Sequence, residues 1–220
     1  MIIGLVILGI VALLLLFGVA ERVFKSFGVS YPFAFVMIGG LIGCAFIPTF
    51  TLGGAVAVNT AGFIAPLVLG IVFTVIAARM REGWRAAVTI SATTSLYIAV
   101  RLLIEPLTSE LVTSIVAGFL CGAGAYLIGK TKIAALSSVF FGFFFGELIS
   151  SAVDIYIYGL PMRLGSAAVF DALVIAAVFS VLLYEMIAGI KRAMRSRNKA
   201  ALCESAEEFD PDEYKRYFDE

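Results

Sequence analysis

Residues 111–129 read LVTSIVAGFLCGAGAYLIG and residues 133–156 read IAALSSVFFGFFFGELISSAVDIY, with Lys130-Thr131-Lys132 between them. As helices, both runs are long enough to cross about 30 Å of hydrocarbon, and the charge collects at their junction. Working outward, five more apolar runs of similar length lie at about 2–19, 32–50, 55–77, 86–104 and 167–190. Hydrophobic residues make up 61% of the chain and charged residues 15%. Soluble domains are about 45–50% apolar and 25% charged. A soluble fold would need most of these helices buried on every side, which 220 residues cannot supply. The expected fold is therefore all-α, a polytopic transmembrane bundle of about seven spans over residues 1–198. The first run lacks a preceding basic residue and a small-residue cleavage site, so it reads as a retained helix rather than a signal peptide.

Basic residues fall at every second junction. Arg22 and Lys25 follow the first run, and Arg79, Arg81 and Arg85 follow the third. Lys130 and Lys132 follow the fifth, and Lys191, Arg192, Arg195, Arg197 and Lys199 follow the seventh. Between these, 48–54 and 105–110 carry no basic residue and 160–165 carries only Arg163. By the positive-inside rule the chain is expected to be multi-pass in the plasma (inner) membrane, with its N-terminus outside and its C-terminus cytoplasmic. Residues 199–220, rich in Asp and Glu, are expected to form an acidic cytoplasmic tail, disordered or transiently helical.

Composition also removes several function classes. The chain has no histidine, which excludes imidazole ligation and histidine-based catalysis. Cys44, Cys121 and Cys203 are scattered, so neither a disulfide framework nor a metal site is indicated, and no cofactor is implied. No basic stripe with interleaved aromatics speaks for nucleic acid. The lipid bilayer is the expected surrounding. Three small-residue pairs, Gly39/Gly43, Gly118/Gly122 and Gly142/Gly146, have the spacing that permits close helix packing, within the chain or between copies in a homo-oligomer. Pro66, after Asn59-Thr60-Ala61-Gly62, predicts a kink or an unwound stretch in the third span.

The informative residues are polar groups within apolar runs, where a charge costs roughly 2.5–3.5 kcal/mol on insertion scales. At a rise of 1.5 Å per residue, Asn59, Arg101 and Asp171 each fall about 9–10 Å outward of the centre of a span. Glu147 falls near the midplane and Asp154 near the outer boundary, seven residues apart and so on one helical face. Thr94, Tyr97, Arg101 and Glu105 form a stripe on the fourth span. A buried arginine needs a carboxylate, and the candidates are Asp171 at matching depth, then Asp154, then Glu105. Glu147 has no basic residue near its own depth. These residues predict either a polar cavity lined by spans three, four, six and seven and open to the outside, or buried pairs that fix helix register. The cavity would suit a small solute or ion.

Asp154 and Asp171 on consecutive spans raise a second chemistry, because a carboxylate pair sharing a proton can activate water, as in intramembrane aspartyl proteases. The glycine-x-glycine-aspartate signature is absent, since five residues separate Gly165 from Asp171, and Asp154 follows Val153 rather than a tyrosine. A non-catalytic membrane assembly factor is the third alternative. Two segments, Ala57-Val58-Asn59-Thr60-Ala61-Gly62-Phe63-Ile64-Ala65-Pro66 and Gly165-Ser166-Ala167-Ala168-Val169-Phe170-Asp171, resemble a prokaryotic family of membrane proteins known as domain of unknown function 1614. The resemblance implies a bacterial or archaeal integral membrane protein in which Asn59 and Asp171 matter together; it implies no activity.

Overall fold

The computed structural model describes residues 2–18, 31–52, 56–104, 107–159 and 161–207. The chain divides into two units, Met1–Leu183 and Tyr184–Glu220. Seven α-helices occur among the described residues: α1 (Ile2–Leu16), α2 (Tyr31–Ala45), α3 (Ala65–Arg79), α4 (Gly83–Ile104), α5 (Glu110–Gly129), α6 (Lys132–Tyr158) and α7 (Ala167–Glu207). A π-helical turn, Thr60–Ile64, leads directly into α3. Five of the helices are long and apolar enough to cross a membrane, as in an integral membrane protein. Over their described lengths α1 and α2 have 15 residues each, about 22 Å of rise and so short of a full crossing.

The first unit is built around α6. Within its apolar window 72% of residues are buried, against 28–50% for the other four long helices. It packs against α3, α4 and α5. Phe73 of α3 stacks on Phe140 with ring centroids 5.5 Å apart, and Tyr97 of α4 leans on Phe143 at 4.7 Å. Outward positions remain apolar, including Phe119, Leu120 and Leu127 on α5 and Phe145, Leu148 and Ile149 on α6. Such a surface is suited to lipid, whereas in water an apolar patch of that extent would drive association.

Glycines set which helices approach closely. A methyl group on Gly142 would lie 2.8 Å from the Thr93 side chain, and one on Gly146 would strike the Tyr97 ring. On α5 a Cβ at Gly118 would meet Ile175 at 2.7 Å, and one at Gly122 would meet the Ala176 carbonyl at 2.7 Å. Two of the three small-residue pairs are therefore used inside the chain. Gly39 and Gly43 have nothing within 4 Å among the described residues.

A three-stranded sheet of β1 (Phe50–Leu52), β2 (Val56–Val58) and β3 (Met162–Leu164) joins segments that sequence reading assigns to loops or helix. β1 pairs antiparallel with β2, and β2 pairs parallel with β3, with Val58 opposite Leu164. The third span thus begins at Thr60 rather than 55. Asn59 caps its first turn by accepting the Gly62 N–H at 2.9 Å. Pro66 sits in the first turn of α3 directly after the π-turn, so the expected kink or unwound stretch in mid-span is met instead by a π-helical turn at the start of the span.

In the second unit, described residues 184–207 are the C-terminal part of α7. Lys191, Arg192, Arg195 and Arg197 are exposed there, as are Met186, Ile190 and Met194. The helix continues to Glu207, past the expected break at 198, and residues 208–220 of the expected tail lie outside the described residues.

Candidate functional site

The constant register between α4 and α6, in which Thr93 meets Gly142 and Tyr97 meets Gly146, carries Arg101 one turn further along the same face. There Arg101 Nη1 donates to Glu147 Oε1 at 2.8 Å and Nη2 donates to Asp154 Oδ2 at 3.1 Å. The guanidinium fork bridges two carboxylates seven residues apart on α6, a task its planar geometry suits and an ammonium could not match. Tyr97 OH donates to the same Glu147 oxygen that Arg101 holds. The other oxygen, Oε2, accepts the backbone N–H of Gly165 at 3.0 Å.

Gly165 is delivered by local geometry. Ser151 Oγ donates to the Arg163 carbonyl at 2.6 Å, tying β3 to α6. Gly165 itself lies in the left-handed region, at φ +74, and a Cβ on it would come within 2.7 Å of the Gly62 carbonyl carbon. Both conditions demand glycine. Glu147, 2% exposed, is thus a carboxylate surrounded by fixed donors. Such groups are buried only where hydrogen bonds offset their desolvation.

Beside this cluster lies a cavity of about 200 Å³. Its walls come from Tyr97, Val100 and Arg101 of α4, from Glu110, Thr113, Ser114 and Ala117 of α5, and from Glu147 of α6. Arg163, Gly165 and Ser166, with Ala168, Val169 and Ala172 of α7, complete them. All these residues belong to the first unit. The cavity sits where α4 and α6 end and α5 and α7 begin, at the end of the bundle opposite the basic turns at Arg79–Arg85 and Lys130–Lys132.

Several expectations change. Arg101 pairs with Asp154, the second of its expected partners, and with Glu147, which was not among them, and Asp171 makes a contact of its own. Asp171 Oδ1 accepts the N–H of Gly4 at 2.8 Å, one of the orphan donors in the first turn of α1. That bond places the N-termini of α1 and α7 at the same end of the bundle. Glu147 has a basic partner after all: the long arginine side chain spans the few ångströms that separate the two backbone depths. Asn59 is a cap, bonded also to Thr49 Oγ1 at 3.2 Å and through its N–H to the Leu164 carbonyl at 2.9 Å. Neither Asn59 nor Asp171 lines the cavity, and its fourth wall is α5 rather than the third span. Asp154 and Asp171 are held by different partners on different helices. Glu105 lies outside the described residues.

Sequence reading did not select Glu110, Arg163, Ser114 or Gly165. Arg163 had a signal, as the lone basic residue among the loops expected outside, and Glu110 had one as the acid that opens α5. Gly165 had none, because a backbone N–H leaves no mark in a sequence. Among the described residues no group of His, Cys, Asp and Glu could hold a metal ion. No family model, no curated protein and no solved structure matches this chain.

Proposed function

We propose that this is a multi-pass protein of the plasma (inner) membrane, N-terminus outside, that takes up a small polar solute or ion through the cavity beside Arg101 and Glu147. The observation that carries the reading is an Arg101–Glu147–Asp154 cluster at the wall of a 200 Å³ cavity inside an apolar helix bundle. Charges at such depth are expensive and usually mark a pathway or a paired site. Pairs that only fix register can be buried outright, whereas Arg101 keeps 20% of its side chain exposed on the cavity wall. Glu147 acts as the anchor that holds Arg101 at the cavity wall. The resemblance to domain of unknown function 1614 is compatible with this membrane assignment.

Proteoliposomes loaded against a panel of labelled ions, carboxylates, amines and amino acids test it. Flux of at least one member is expected, abolished by Glu147→Gln in protein that still folds, and retained by Asp171→Asn. If no member of the panel moves, or if Glu147→Gln transports like the parent, the reading is wrong. The proteolytic alternative needs Asp154 and Asp171 to share a proton, and their separate partners, Arg101 and Gly4, weigh against it.

A further inference from the structure

Two charges on the cavity wall stand apart from the Arg101 cluster. Glu110 opens α5 and Arg163 lies in β3; both are exposed and both line the cavity. No ion pair joins either of them to a described residue, while Arg101 is occupied by Glu147 and Asp154. The cavity therefore presents one uncommitted anion and one uncommitted cation to whatever enters it.

The surroundings of the two charges differ. The Arg101 cluster sets one guanidinium against two carboxylates of α6. Ser114, buried beside Glu110, donates its hydroxyl to the Glu110 carbonyl and keeps lone pairs that can accept. Arg163 instead neighbours the start of α7. There the Ser166 hydroxyl takes the Val169 N–H, and the N–H groups of Ala167 and Ala168 precede any acceptor within the helix. Helix N-termini favour anions. Glu110, although it too opens a helix, supplies the negative charge that an ammonium would meet, and Arg163 with the start of α7 supplies the side that a carboxylate would meet.

We infer that the ligand is a small zwitterion carrying both an ammonium and a carboxylate, the chemistry of short amino acids. The inference rests on the reading that the cavity takes a solute. Size agrees: a buried cavity of about 150 Å³ admits benzene, so 200 Å³ suits a molecule with a short side chain rather than a large aromatic one.

The test uses the full chain in nanodiscs and measures equilibrium binding of L-alanine, β-alanine, propionate and propylamine. At least one zwitterion is expected to bind roughly tenfold or more tightly than either singly charged analogue, since each lost charged hydrogen bond weakens binding by about that factor. Arg163→Gln is expected to bring the zwitterion down to the level of propylamine, and Glu110→Gln to that of propionate. Both side chains are exposed, so unchanged melting temperatures are expected to accompany the losses. Equal binding of all four probes, or binding by neither zwitterion, overturns the inference. If that failure comes with Glu147-dependent flux of an ion or a singly charged solute, only the zwitterion is wrong. If no flux depends on Glu147, the transport reading falls with it.

Discussion

Arg101 is the residue on which the site turns, because both of its acidic partners depend on it. Removing one member of a buried pair costs about 3–5 kcal/mol, since the remaining charge keeps its desolvation penalty. Arg101→Ala should approach that loss through Glu147 alone; Asp154 keeps 30% of its side chain exposed and adds little. Arg101→Lys should recover only part of it, because an ammonium cannot bridge both carboxylates. Thermal unfolding in detergent checks both variants, and a lysine variant as stable as the parent would contradict the bridging role. The charged residues themselves were legible in the sequence as intramembrane ionisable groups. Their pairing was not, because counting rise per residue locates Cα atoms while an arginine carries its charge several ångströms beyond. Asn59 and Asp171 looked like members of one polar layer for the same reason. Both are helix-terminus groups, one capping its own π-turn and the other holding the first turn of α1.

At the scale of elements, close contacts through glycine decide which faces meet. Gly122→Leu would drive a side chain into the Ala176 backbone, now 2.7 Å from where a Cβ would begin. Overpacking of this kind costs about 1–3 kcal/mol. Gly39→Leu enters open space among the described residues and should leave the melting temperature of the protein nearly unchanged. Comparing the two by thermal unfolding checks the assignment, and equal effects would refute it. All seven helices were readable as apolar runs, of which five are long enough as helices to cross a membrane. The start of the third was not, because Val56–Val58 pair as a strand and the helix begins only at Thr60. The strands were invisible for a different reason: three residues each, they carry too few positions for an alternating pattern to register.

For the molecule as a whole, the arrangement of helix ends is internally consistent: the cavity lies at one end of the first unit and the basic turns at the other. The expected orientation puts the cavity end outside. In a background lacking the native cysteines, Ser109→Cys should react with a membrane-impermeant maleimide in intact cells, whereas Arg85→Cys should react only after permeabilisation. The reverse pattern would invert the topology and turn the cavity toward the cytoplasm. The overall class was legible from composition, since hydrophobic content and basic spacing are properties of the whole chain. The cavity was only partly so, because it arises from side chains of four helices and a strand that no single segment records.

The separations within the Arg101 cluster bear on how the protein is made. Arg101 precedes its partner Glu147 by 46 residues, and Glu147 precedes the Gly165 N–H by 18. During synthesis Arg101 therefore meets its α6 partners only after α6 has followed, and the Gly165 N–H arrives only with the turn into α7. The site closes late in biogenesis. A nascent chain stalled before residue 147 lacks both of the α6 carboxylates that Arg101 bridges.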